Sequence, residues 1–226
     1  MENQTFPNRL HVFRGEAALV IAVIINSFGV VLMLYSGAGI SAISSVPFAF
    51  SEVLPFFSLG TWTYLFQAAL VFSLMVMRKR FVPSYLFSFV VGFAFSELLD
   101  VNELWIGILP TTLVDCVIYF IISYLLICLG IALSNRCRLP IIPTDLFPRE
   151  LSQIVGVGYP RIKIGFDAIC LIVTAVLTFC FLGWIDGLGI GTVLAALTMG
   201  KVIGVIGNWL DKHFSFVVYQ RQKRNG

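Results

Sequence analysis

Residues 116–133 read CVIYFIISYLLICLGIAL, eighteen positions without a charge or a proline. An α-helix rising 1.5 Å per residue needs about 20 apolar residues to cross about 30 Å of hydrocarbon, and this run nearly meets that length. A membrane barrel would show shorter strands of about ten residues with apolar and polar side chains alternating, so a helical membrane protein is expected. Residues 17–35, AALVIAVIINSFGVVLMLY, carry the same pattern near the start of the chain. Their apolar run exceeds that of a signal peptide, so this first helix is expected to be retained.

The whole composition agrees with those two runs. Hydrophobic residues make up 58% of the 226 residues and charged ones 12%, with a mean hydropathy of +0.94; soluble domains carry roughly 25% charged residues. The fold class expected is an all-α polytopic membrane protein, a single membrane domain over residues 1–226, with spans at 16–35, 59–77, 81–99, 109–133, 163–182 and 187–209.

Lys and Arg residues distribute unevenly between the connections. Arg9 and Arg14 precede span one, Arg78, Lys79 and Arg80 join spans two and three, and Arg136, Arg138, Arg149, Arg161 and Lys163 gather around the link between four and five. Lys212, Arg221, Lys223 and Arg224 follow span six, whereas 36–58, 100–108 and 183–186 contain neither residue. The positive-inside rule then places both termini in the cytoplasm. The net charge of +3 is thereby explained by topology, and no nucleic-acid partner is expected. The surrounding partner is the lipid bilayer.

The chain repeats itself weakly. A shift of 101 residues lays Gly29 on Gly130, Leu32 on Leu133 and Pro47 on Pro148, and a shift of 100 lays Phe66 on Phe166 and Ala68 on Ala168. Each half reads as a long helix, an awkward connector and two closely linked helices, repeat one at about 16–100 and repeat two at about 109–210. Three spans per half force the second half to enter from the opposite side, which is the inverted-repeat plan of many secondary transporters. The connectors 36–58 and 139–158 are too apolar or too rich in proline for ordinary loops, so each is expected to be interfacial or re-entrant. The charges of Asp145, Arg149 and Glu150 favour the interfacial alternative for the second.

Candidate site residues are the polar groups inside apolar runs. Lys201 interrupts GIGTVLAALTMGKVIGVIGNWL at 189–210, roughly 13 Å from the end of its span, where a lysine costs about 2.5–3.5 kcal/mol unless paired, hydrated or snorkelling. It borders a stripe of Ala196, Gly200, Gly204 and Gly207, suited to helix packing within the chain or in a homodimer. Asp167 could pair with Lys163 on its own helix or with Lys201 across the interior. Asn26 and Gln67 lie mid-span as interhelical glue or pocket lining, and the repeat sets Gln67 opposite Asp167. Asp115 sits in the first turn of span four, where a capping role and a cavity role both remain open. Gly189, Gly191 and Thr192 begin the last helix and offer free backbone N–H groups, with Asp186 before them as an N-cap candidate. Five scattered cysteines and two distant histidines give no metal-binding spacing. No metal, cofactor or catalytic cluster is expected, and an enzyme is disfavoured because no P-loop, hydrolase elbow or HExxH motif occurs.

The glycine-bearing first helix, the segment GIALSNRCRLPIIPTDLFPREL with its Pro-x-Asp at Pro143 to Asp145, and GLGIGT at Gly187 to Thr192 together resemble the bacterial YczE/YitT-type membrane proteins over roughly residues 20–210. The first connector lacks the Pro-x-Asp of the second, so a twofold site would be degenerate. The resemblance implies several helices in a bacterial inner membrane and supplies no substrate. Three functions are compatible with these readings: a permease for a small solute or ion, a substrate-capturing subunit of a larger uptake complex, and a non-transporting membrane scaffold or regulator.

Overall fold

A computed structural model describes residues 11–217, and within them the chain forms eight helices and a pair of short strands. Six helices are long and apolar enough to cross a membrane: α1 (Gly15–Tyr35), α3 (Leu59–Arg78), α4 (Pro83–Ile106), α5 (Leu113–Ser134), α7 (Tyr159–Leu182) and α8 (Ile190–His213). Two shorter ones, α2 (Ala42–Val53) and α6 (Pro143–Val155), occupy the two long connectors. The strands β1 (His11–Arg14) and β2 (Phe214–Val217) pair in parallel, His11 beside Phe214 and Arg14 beside Val217.

Local chemistry sets the helix ends. Ser58 and Thr112 accept backbone N–H bonds as N-caps of α3 and α5, which satisfies donors that have no partner within the helix. Prolines open α4, α6 and α7, a position where the missing N–H costs nothing. α4 continues to Ile106, past the expected end at 99, because the carboxylate of Asp100 has partners: it accepts from the Gly60 N–H at 2.7 Å and the Ser58 hydroxyl at 2.7 Å.

The exterior differs from that of a soluble domain. Leu104, Leu113 and Ile190 are 87%, 82% and 91% exposed, while Asn26, Gln67, Thr174, Asp145, Lys163 and Asp167 are buried. An exterior of large apolar side chains around a partly polar interior suits hydrocarbon as the surrounding medium. The chain is therefore a multi-pass membrane-like helical protein.

α1 and α5 pack along each other at the centre, and the other helices arrange themselves around this pair. α1 also carries α4, and α5 carries α8; α2 lies against α7, and α6 against α3; α3 packs on α4, and α7 on α8. Close approach of the central pair depends on two glycines. A Cβ on Gly29 would stand 2.9 Å from Ile127 Cγ1, and a Cβ on Gly130 would collide with the Asn26 amide.

Both connectors fold back into the protein. Most of α2 from Ala42 to Ala49 is buried, and in α6 the whole stretch Pro143–Pro148 is buried, Asp145 included. The polar residues of α6 divide, Asp145 turning inward while Glu150 binds Arg78 and Tyr85 nearer the surface. Each short helix tolerates a proline at its sixth position, Pro47 or Pro148.

Candidate functional site

The starts of the two short helices meet at a small cavity of about 30 Å³. Ser41 to Ser44 border it from α2, Ile142, Thr144 and Asp145 from α6, Asn26 from α1, and Lys163 and Asp167 from α7. Its volume admits one or two waters or a small ion. Both helix N-termini expose N–H groups without intrahelical acceptors, which makes the region favourable to negative charge.

Lys163 donates to both Asp167 oxygens, at 2.6 and 2.7 Å. Their side chains are 5% and 2% exposed. The spacing places them one turn apart on α7, and burial turns what would be a weak surface pair into one whose partners depend on each other. Asp145 completes a group of two carboxylates and one ammonium. Its Oδ2 is buried with no hydrogen-bond partner among the described residues, as is Oδ1 of Asn26. Burial pushes the Asp145 carboxyl up to about 6; Lys163 and Arg149 oppose that shift and Asp167 reinforces it.

α2 is fastened to α7 beside this group. Ser45 and Thr174 share a hydrogen bond of 2.8 Å, and Ser41 donates to Ser44 at 2.8 Å. Asn26 is held where α1 crosses Gly130, since only a glycine leaves room for its amide.

The sequence candidates separate accordingly. Asn26, Asp145 and Asp167 come together at the cavity, joined by Lys163, which the sequence offered as a topology signal and as one of two partners for Asp167. Gln67 is fully buried but lies elsewhere: its Oε1 fills the space over Gly92, next to Pro143, and neither of its polar atoms has a partner. Asp115 closes a capping box with Thr112 and does not line the cavity. Lys201 is exposed on α8, and the partner of Asp167 is Lys163 rather than Lys201. Of the small residues beside Lys201, Ala196, Gly200 and Gly207 are buried and Gly204 is exposed.

Gly189, Gly191 and Thr192 form a junction with the first connector. Gly191 N–H donates to Ala38 O at 3.0 Å and Ile40 N–H to Gly187 O at 3.1 Å. A Cβ on Gly189 would strike the Ala38 carbonyl, and Gly39, at φ +113°, faces Thr192. These glycines allow two backbones to touch; the N-cap of α8 is Gly189, not Asp186. Asp186 instead accepts from the Gly187 N–H at 2.8 Å.

The hydroxyls Ser41, Ser44 and Thr144 were missed in the sequence. The available signal was their place at the start of each short helix, where side-chain oxygens commonly cap. No curated protein and no solved structure matches the chain. A family model matches residues 13–208. The chain, cavity and junction included, belongs to the Family of unknown function (DUF6198).

Proposed function

We propose that this protein is a small, non-enzymatic permease that binds a small solute or ion at the central cavity. The observation that carries the reading is the pair of buried, unpartnered acceptors, Asn26 Oδ1 and Asp145 Oδ2, beside the Lys163–Asp167 pair. Buried polar atoms without partners cost about 1–3 kcal/mol each, and a bound water, ion or solute removes that cost. With a cavity of about 30 Å³, a solute larger than a water or small ion requires the short helices to part.

The halves are read as inverted repeats. In support, each packing relation in one half has its counterpart in the other: α1 on α4 with α5 on α8, α2 on α7 with α6 on α3. The contact of Gly29 with Ile127 and that of Gly130 with Asn26 are related by the same shift of 101 residues. Two half-length helices meeting near the middle of the fold is a recurrent transporter arrangement. The likeness to YczE/YitT-type proteins and the distribution of Lys and Arg extend the proposal to a bacterial inner membrane with both termini cytoplasmic.

The test is thermal stability of the detergent-purified protein against a panel of ions and metabolites, followed by flux of any stabilising compound into proteoliposomes. Wild type should be stabilised and transport it, and Asp145→Asn should weaken stabilisation at least tenfold in concentration. A panel without effect and liposomes without flux would refute the permease. A second reading, a substrate-capturing subunit of an uptake complex, is favoured by Lys201: it is exposed halfway along α8 beside Gly204, where an added Cβ meets only open space. A partner helix with a carboxylate at that depth would neutralise it, and co-purification of an ATPase module would select this reading.

A further inference from the structure

A second, larger cavity of about 460 Å³ opens where α3 ends, α4 begins and the outer half of α6 lies over both. It shares no lining residue with the central cavity. Three arginines, Arg78, Arg138 and Arg149, face it together with Glu150. Glu150 is already engaged: its Oε2 accepts from Arg78 Nη2 at 2.6 Å and from the Tyr85 hydroxyl at 2.6 Å. Among the described residues, Arg138 and Arg149 make no ion pair. One carboxylate therefore stands against three guanidinium groups.

Two further donors lack partners among the described residues. The Ser88 side chain, in a residue only 1% exposed, lines the cavity, and its Oγ has no hydrogen-bond partner; the buried Nε of Arg78 has none either. The uneven distribution of positive charge across a membrane requires arginines on one side, but it does not require them to share a concave space with a buried hydroxyl. The volume lies within the range of small-molecule sites, roughly 300–1,000 Å³, and Val82, Leu139 and Leu146 supply apolar wall for a non-ionic portion.

From this donor-rich geometry we propose that the cavity binds a phosphate-bearing ligand, its anionic oxygens held by Arg138, Arg149 and the Ser88 hydroxyl. Arginine suits this task because its planar fork meets two oxygens at once. The phosphate belongs either to a soluble phosphorylated compound entering from solution or to a phospholipid headgroup entering from the bilayer; the chemistry of recognition is the same.

The experiment uses the full-length protein, delipidated in detergent, with two probes. Inorganic pyrophosphate, followed by thermal stability, represents the soluble source. Phosphatidylglycerol retained in native mass spectrometry, against diacylglycerol as the uncharged control, represents the headgroup. Arg138→Gln/Arg149→Gln should weaken whichever probe binds at least tenfold. Arg149→Lys, which keeps the charge and loses the fork, should produce a smaller loss. Arg136→Gln, whose guanidinium pairs with Asp211 away from this cavity, should leave binding unchanged. Pyrophosphate binding alone assigns the site to a soluble ligand, and lipid retention alone to a headgroup. Should neither probe bind, or should the double variant bind like wild type, the proposal is overturned. If the double variant fails to fold, Ser88→Ala with each probe decides in its place: binding weakened supports the site and binding unchanged overturns it.

Discussion

Lys163 holds Asp167 by both oxygens in a place with little water. Removing either partner strands the other charge, so Lys163→Ala and Asp167→Ala should each lower stability by about 3–5 kcal/mol, with the double variant recovering part of the loss. Denaturation of all three in one detergent checks this, and simple addition would refute the coupling. Lys201→Ala combined with Asp167→Ala should add to within about 0.5 kcal/mol, because Lys201 faces outward. Asp145 gives a pH signature. Its folded carboxyl titrates near 6 against about 3.9 unfolded, so the folded state holds the extra proton between those values. The stability this contributes is present below pH 4 and lost as pH rises through 6. Asp145→Asn should flatten that part of the curve; Lys163 and Asp167 from α7 and Arg149 on its own helix are the charges acting on Asp145.

At the scale of elements, the crossing of α1 and α5 is the tightest joint. Gly130→Ala must displace the Asn26 amide from the space it fills and should cost about 1–3 kcal/mol, with ligand binding lost in proportion if Asn26 serves the cavity. Unchanged melting would show that the helices part without penalty. The long spans were legible because uninterrupted apolar sequence has few other destinations; 16–35 and 59–77 became Gly15–Tyr35 and Leu59–Arg78. Ends containing charge were less legible. Asp100 extends α4 because its oxygens have partners on α3, and α7 starts at Tyr159, ahead of the expected 163, since Pro160 begins it and Lys163 is neutralised one turn later. Burial of Asp145 could not be read locally, because α6 has a strongly two-sided sequence that an interface would also accept. The β1–β2 pair joins segments some 200 residues apart with only four residues each, too little for periodicity to register.

For the whole molecule, the proposal that the halves are inverted makes a prediction about sides. Phe57, just after α2, and Val155, the last residue of α6, are both exposed. In a background lacking native cysteines, Phe57→Cys should react with a membrane-impermeant reagent from one side of the bilayer and Val155→Cys from the other. Labelling of both from one side would exclude the inverted plan. Gly39 and Gly189 fasten the end of α1 to the start of α8, whereas α2 and α6 border the cavity from the two halves.

The parallel pairing of His11–Arg14 with Phe214–Val217 makes the described part of the chain, residues 11–217, almost circular. A peptide linker from the end of β2 back to the start of β1 would close it, and the turn at residues 79–82, two crossings along, could then be cut to make new termini on the same side. Such a circular permutant keeps every helix contact and changes only the order of insertion. It should therefore reach the same melting temperature as the parent, while the yield of inserted protein would reveal whether α1 must enter the membrane first.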